Sequence, residues 1–114
     1  MAVAAITNSQ DGTLSDTSEV TLVPAPLSGQ NNVRTVSIAN NNSDYVTVRI
    51  QLANGAARRN IWVGTLSPGD TWSFGESGDV LVLDSPSKSM IAKLDGVPVT
   101  PLDFVASWLN STES

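Results

Sequence analysis

Cysteine and histidine are both absent from the 114 residues of this chain. Without cysteine there is no disulfide, so stability has to come from the burial of apolar side chains, to which assembly can add. The same absences exclude Ser-His-Asp and Cys-His catalysis, and also zinc sites built from imidazole or thiolate. Only Ser-Lys and paired-carboxylate chemistry are left to consider.

Charge is sparse as well, because charged residues make up only 15% of the chain. Eleven acidic residues against six basic ones give a net charge of −5, and only Arg58 and Arg59 are adjacent cations. A surface that follows phosphates needs clustered Lys and Arg, so neither nucleic acid nor an anionic membrane is an expected partner. The first residues lack a basic segment followed by a long apolar one, and no apolar run is long enough to span a bilayer. We expect a soluble protein that keeps its own N-terminus.

Strict alternation over residues 45–52 is the strongest local signal. Val46, Val48, Ile50 and Leu52 alternate with polar neighbours, which predicts a strand with one apolar and one polar face. Asn54-Gly55 follows at once and favours a hairpin turn, since both residue types tolerate positive φ.

Similar short segments recur along the chain, separated by turn signals about every 8 to 12 residues, and no convincing helix is left over. Residues 67–70, Ser-Pro-Gly-Asp, favour a type II turn. Residues 80–83, Val-Leu-Val-Leu, are apolar on both faces and predict a strand in the middle of a sheet, covered on both sides by core or by a subunit interface. The predicted fold is all-β: an antiparallel β-sandwich or jelly-roll-like domain of about eight short strands.

Domain organisation follows from composition. We predict an extended N-terminal arm over residues 1–18, the β-sandwich over residues 19–110 and a short tail over residues 111–114. From Thr7 onward the arm consists mostly of small and polar residues. This composition is typical either of a disordered tail or of an arm that becomes ordered on a partner. In the second interpretation the apolar residues Val3, Ile6 and Leu14 contact the partner.

No catalytic, metal-binding or cofactor-binding residue is predicted. Ser87-Lys88-Ser89 supplies a local Ser-Lys pair, but nothing near it suggests an oxyanion hole. Carboxylates that could serve glycoside hydrolysis or calcium binding all lie at strand ends or turns, where Asp stabilises the turn itself; they are Asp70, Glu76, Asp79, Asp84 and Asp95. We interpret them as surface turn residues.

Three tryptophans occupy three different predicted strands. Trp72 and Trp108 share strand faces with Phe74 and Phe104, which indicates core positions. Trp62 has the opposite parity from its apolar neighbours, so it is predicted to be the most exposed of the three. An exposed ring there suits a subunit contact or a sugar-stacking surface.

Five turn and strand motifs follow one another over about residues 20–109: Val23-Pro24, Ile-Ala-Asn-Asn at 38–41, Val-Thr-Val-Arg-Ile at 46–50, Leu-Ser-Pro-Gly-Asp-Thr-Trp at 66–72 and Val-Leu-Val-Leu at 80–83. This order of motifs resembles a group of small β-sandwich virion proteins of tailed bacteriophages, which includes head decoration, neck and tail accessory subunits.

The resemblance implies a non-enzymatic virion structural protein without cofactors, most simply a cement (decoration) subunit on the outer capsid surface. Its expected partners are the major capsid protein or other virion subunits, together with copies of itself, and a trimer is favoured. Candidate subunit-interface residues are Trp62, Leu81 and Leu83. Two alternatives stay open: a tail, neck, fibre or baseplate accessory that contacts host glycans, and a glycan-acting enzyme that uses turn carboxylates such as Asp79 and Asp84.

Overall fold

The computed structural model describes residues 3–75 and 81–113, and the side chains of residues 6–75 and 81–111. Within these ranges the chain forms nine β-strands and no helix, and therefore no helix that could cross a membrane. The strands are β1 (Val3–Leu14), β2 (Val20–Val23), β3 (Gln30–Ala39), β4 (Val46–Asn54), β5 (Ala57–Leu66), β6 (Thr71–Phe74), β7 (Leu81–Leu83), β8 (Lys88–Leu94) and β9 (Leu102–Glu113).

Two antiparallel sheets pack against each other. The first sheet has the order β1-β9-β3-β6, with β7 also paired to β3, and the second has the order β2-β8-β4-β5. The chain repeatedly crosses between the sheets, and apart from the β4–β5 hairpin its paired strands are far apart in sequence. This arrangement is a jelly roll, so the predicted fold class is confirmed.

Strands β6 and β7 act as two halves of one broken strand. Residues 71–74 pair with Val36–Ala39 and residues 81–83 pair with Asn31–Val33, on the same side of β3. At the break, Gly75 has φ of 91° and lies so close to the Arg34 carbonyl oxygen that a Cβ would overlap it. A β-bulge interrupts β3 between Val33 and Thr35 at the same level. Counted as one, β6 and β7 bring the number of strands to the predicted eight.

The prediction of a central strand at residues 80–83 is wrong. In the described part of the chain, β7 pairs only with β3 and is an edge strand. Leu83 is fully buried and Leu81 half-buried, but Val82 is 42% exposed on the outer face. Apolar character on both faces therefore does not mark a central strand here, and the central strands are β9, β3, β8 and β4.

The core lies between the sheets and contains the alternating apolar rows that the sequence predicts. Val46, Val48 and Ile50 of β4 are buried, with β8 on one side of the strand and β5 on the other. Phe104 and Trp108 of β9 are buried opposite them, which confirms their predicted core positions. Each Val or Ile buried in this way contributes about 1.5 to 3 kcal/mol to folding.

Trp62 lies on the core side of the second sheet and packs against the core while it is partly exposed, so the prediction that it points away from the core is wrong. The β4–β5 register shifts at this point: Ile50 is opposite Trp62, whereas Gln51 is opposite Asn60. The extra residue, Ile61, reverses the alternation of β5 and turns Trp62 inward. The ring centroids of Trp62 and Trp72 are 5.7 Å apart, and Val63, from which Trp62 was expected to point away, is instead 43% exposed.

The predicted N-terminal arm is also corrected. Residues 3–14 form β1, which pairs with β9 along its whole length from Val3 opposite Glu113 to Leu14 opposite Leu102. An edge strand with one solvent face needs few apolar residues, which is why its composition looks like that of a linker. Its small residues also fit the partner strand, since the Phe104 ring lies directly over Gly12. Strand β9 likewise extends through most of the predicted tail, to Glu113.

Both predicted turns are present. Gly55 occupies the first position of the two-residue loop between β4 and β5, with φ of 58°, so the hairpin is confirmed. In the turn at residues 67–70, Gly69 has φ of 82° and the Asp70 amide donates to the Ser67 carbonyl at 3.0 Å. That geometry is the predicted type II turn.

Three glycine-to-alanine variants test the break between β6 and β7. Gly75→Ala should destabilise the protein by about 3 kcal/mol or more, because it adds a clash with backbone to an unfavourable φ. Gly69→Ala, with similar φ but open space, should cost about 1 kcal/mol. Gly96→Ala has open space and no positive φ, so it should be close to neutral. Urea unfolding measures the loss of unfolding free energy in each of the three variants. Equal losses at Gly75 and Gly69 would contradict the close approach of Gly75 to the Arg34 carbonyl.

Candidate interaction surface

Three loops meet at one end of the sandwich around the buried side chain of Asn40. This side chain is fully buried, and its Nδ2 donates to the carbonyl oxygens of Asp44, Leu66 and Ser67 at 2.9, 3.0 and 3.2 Å. The Asn40 backbone adds two bonds: its amide donates to the Asp70 carbonyl at 2.8 Å, and its carbonyl accepts from the Gly69 amide at 2.9 Å. One residue thus satisfies backbone groups of the β3–β4 and β5–β6 connections.

Asn42 extends this network to the third loop. Its backbone amide and its Nδ2 both donate to the Asn40 Oδ1 at 3.0 Å. Its side chain also pairs with the backbone of Thr100, donating to the carbonyl at 2.9 Å and accepting from the amide at 2.7 Å. Buried amides that are fully hydrogen-bonded in this way fix a single loop arrangement, since any alternative leaves polar groups unpaired.

On the outside of this fixed base lies a group of exposed apolar side chains. Tyr45 is 67% exposed, Val97 is 73% exposed and Val99 is 97% exposed. All three line one pocket of about 330 Å³, together with Pro98 and neighbouring residues of the 42–47 segment. We call Tyr45, Val97 and Val99 the loop-end ridge.

The rim of the pocket is acidic. Asp44 and Asp95 line it beside the ridge. Asp95 lies 3.7 Å from Arg49 on the outer face of the second sheet, and both side chains are partly exposed, so this ion pair contributes little to stability. The Asp95 amide donates to the Thr47 carbonyl at 3.2 Å, which holds the start of the Val97–Val99 loop against β4. An apolar centre with a charged rim is the usual composition of a protein contact.

Basic residues concentrate on the second sheet. Five of the six lie in its strands, whereas none of its strands contains an acidic residue; the five are Arg49, Arg58, Arg59, Lys88 and Lys93. Flanking carboxylates pair with three of them: Asp95 with Arg49 at 3.7 Å, and Glu19 with Arg58 and Asp84 with Lys88, both at 2.8 Å. The hydrogen bond from Arg58 lowers the pKa of Glu19, and the one from Lys88 lowers the pKa of Asp84.

No metal-binding cluster of carboxylates is present in the part of the chain that the structure describes. In residues 3–75 and 81–113 no group of three or more Asp, Glu, His or Cys side chains could hold a metal ion. Asp84 is engaged with Lys88, and Asp79 lies outside the described residues.

The other candidate contact residues fall in different places. Leu14 is fully buried in the core, as is Leu83, so neither has surface to offer a partner in this fold. Leu81 and Trp62 are half-buried and pack against the same core. Ile6 is 60% exposed on the inner face of β1, and the side chain of Val3 lies outside the described ones.

Tyr45, Val97 and Val99 were not predicted as contact residues. A signal for the two valines was present, because Val-Pro-Val-Thr-Pro cannot form a central strand and so places apolar side chains in a loop. No such signal existed for Tyr45, which continues the alternation of the strand that follows.

Comparison with known proteins gives a similarity of fold. No family model matches the sequence, and no curated protein is similar to it in sequence. A chain of the Bacillus endospore appendages, described as disulfide-linked pili, superposes with a TM-score of 0.55 at 10% identity, covering 97% of this chain and 89% of that one. At this identity the similarity establishes the β-sandwich fold and nothing more.

Two viral structures are less similar. A chain from the capsid of cyanophage Pam1 has a TM-score of 0.45 at 11% identity, covering 97% of this chain and 85% of the other. The Tobacco streak virus coat protein dimer has a TM-score of 0.43 at 8% identity, covering 98% of this chain and 86% of the other. Both scores are below 0.5, so neither similarity carries weight for function.

Replacing the central amide tests the loop network. Asn40→Ala leaves three carbonyl groups without their donor and should destabilise the protein by about 2 to 4 kcal/mol. The neighbouring Asn41→Ala is the matched control, since Asn41 is exposed and its side chain bonds only Asp103 among the described residues. Its expected effect is below about 0.5 kcal/mol. Urea unfolding compares the two, and similar losses would show that the network does not hold this end together.

Proposed function

We propose that this protein is a non-enzymatic structural subunit of a phage-type particle, and that it binds the outer shell as a decoration subunit through the loop-end ridge. The proposal combines the resemblance of its turn and strand motifs to small virion proteins with the surface found at the end of the jelly roll. Its partner would be the major capsid protein or another virion subunit.

The observation that carries the proposal is the exposure of Tyr45, Val97 and Val99 around one pocket. Single exposed valines are ordinary on protein surfaces, but several that line the same concavity mark a site of contact. Tyr is enriched at the centre of protein interfaces, because it buries a large ring and keeps a hydrogen-bonding tip.

Rigidity of the surface supports the same interpretation. The Asn40 and Asn42 side chains fix the loops that present the ridge, so little conformational entropy remains to be lost on binding. A surface that is ordered before its partner arrives suits a subunit added to a completed shell.

A disulfide link through the residues of this sequence is excluded. The chain contains no cysteine, so it cannot be disulfide-linked in the way described for the Bacillus appendage subunits. Burial of apolar surface is a source of affinity that needs no disulfide, and the ridge gathers three exposed apolar side chains around one pocket.

A trimer formed through Trp62, Leu81 and Leu83 is not part of this proposal, because the isolated subunit already packs these side chains against its own core. The same packing leaves the Trp62 ring, on which the glycan-contact alternative depends, only partly exposed.

The ridge is tested with Tyr45→Ser combined with Val97→Ser. Particles assembled without this protein are incubated with purified wild type or variant, and bound protein is measured after sedimentation. We expect at least about a tenfold loss of affinity for the double variant, since its apolar contact area is removed.

The matched control is Val105→Ser, which changes an exposed valine, 54% accessible, on the outer face of the first sheet. It should bind as the wild type does, and circular dichroism should show all proteins folded. Full binding by the ridge variant would refute docking through the ridge. Wild-type binding to the tail or neck alone, seen by electron microscopy, would refute the decoration role.

A further inference from the structure

The two sheets end in four edge strands, and three of these carry features that prevent further strand pairing. Strand β2 has only four residues, contains a bulge and is followed by Pro24 and Pro26. The edge made by β6 and β7 is broken into pieces of four and three residues. Strand β5 carries Arg58 and Arg59 and the bulge at Ile61. Short length, proline, bulges and charge are the usual devices that protect an edge.

Strand β1 has none of these devices over most of its length. It is 12 residues long and regularly paired with β9, and residues 3–10 include no charged residue and no proline. Near its end, Gln10 donates from Nε2 to the Thr21 carbonyl of β2 at 2.8 Å. Residues 3–9 are left with a free edge in the part of the chain that the structure describes.

We propose that residues 3–9 of β1 pair antiparallel with the same residues of a second copy of this chain. The pairing would join the first sheets of the two copies into one continuous sheet, with the two β1 strands at its centre. Self-pairing of this kind is isologous, and it requires only one surface, present on every copy.

Charge favours a second copy as the occupant. The chain has a net charge of −5, which opposes association of like subunits in general, but the segment that would meet its own copy is neutral. A homotypic contact at residues 3–9 therefore brings no like charges into direct opposition.

Apolar burial also favours a second copy as the occupant of this edge. Ile6 is 60% exposed at the rim of an open cleft on the inner face of the sheet, with Ala25 and Leu27 of the β2–β3 connection. Pairing of the edges would cover Ile6 with the second copy. About seven backbone hydrogen bonds would form over the segment, which indicates a weak, concentration-dependent dimer.

Symmetry restricts the register of this pairing. In antiparallel strands, the side chains of two directly opposite residues point to the same face of the sheet. A twofold axis normal to the sheet leaves each residue of β1 on the same face in both copies, so opposite residues must both be odd-numbered or both even-numbered. The axis therefore passes between a residue and its own copy. Ala5, Ile6 and Thr7 lie at the middle of the free segment and are the candidates for that position.

The test places one lysine on the free edge. Thr7→Lys is compared with Thr13→Lys, since both are exposed positions on the outer face of β1 and Thr13 lies beyond Gln10, outside the paired segment. Sedimentation equilibrium should show a monomer–dimer equilibrium for the wild type and for Thr13→Lys, with a monomer mass of 12.0 kDa. The dissociation constant of Thr7→Lys should be raised at least tenfold, with an unchanged circular dichroism spectrum.

A second measurement locates the axis, and the absence of native cysteine makes it clean. Ala5→Cys, Ile6→Cys and Thr7→Cys are oxidised separately, and one of them should form a disulfide-linked dimer far faster than Thr13→Cys. The proposal is overturned if the wild type stays monomeric at the highest soluble concentration, if Thr7→Lys dimerises normally, or if all four cysteines cross-link equally. None of these changes touches the loop-end ridge, so dimerisation and shell binding can fail separately.

Discussion

The antiparallel ladder that holds β9 between β1 and β3 is the constraint on which the rest of the molecule depends. Its pairings join Leu14 to Leu102 and Ile38 to Phe104, so the first sheet exists only when the last strand of the chain is in place. Phe104, Ala106 and Trp108 then form one wall of the core. Nearly all of these contacts join residues that are remote in sequence. Folding therefore loses the entropy of closing long loops before apolar burial can stabilise the chain, so we expect slow folding.

The same ladder determines what the two ends of the sandwich can do. At one end, the strands stop at loops that Asn40 and Asn42 tie together, and the apolar side chains of the ridge stand on that base. At the other end, the first half of β1 pairs with the last half of β9, and this half of β1 carries the free edge of residues 3–9. A shell contact and a contact between copies would thus use opposite ends of one rigid body.

The two sheets also differ in the charge that they carry. The strands of the second sheet hold five basic residues, most of them balanced by carboxylates in the flanking loops. The first sheet presents Ser and Thr along much of its outer face, for example the Thr35 and Ser107 pair at 2.6 Å. Exposed ion pairs add little to stability, so these pairs contribute little to holding the fold.

Local pattern was sufficient wherever a residue's neighbours in sequence decide its environment. The alternation at residues 46–50, the glycines at 55 and 69 and the apolar row of β9 predicted strands, turns and core that the structure contains. The resulting jelly-roll-like class was correct because periodicity and turn chemistry are properties of short segments.

Pairing decided the rest. A polar segment became β1 because β9 lay beside it, one extra residue at Ile61 turned Trp62 inward, and β7 became an edge because only β3 pairs with it among the described residues. The ridge exists because residues 45, 97 and 99, about fifty positions apart in sequence, share one pocket. Sequence by itself determined which segments are strands and turns, whereas register, edge position and the meeting of distant loops were decided only by the tertiary structure, since they depend on which strands lie side by side.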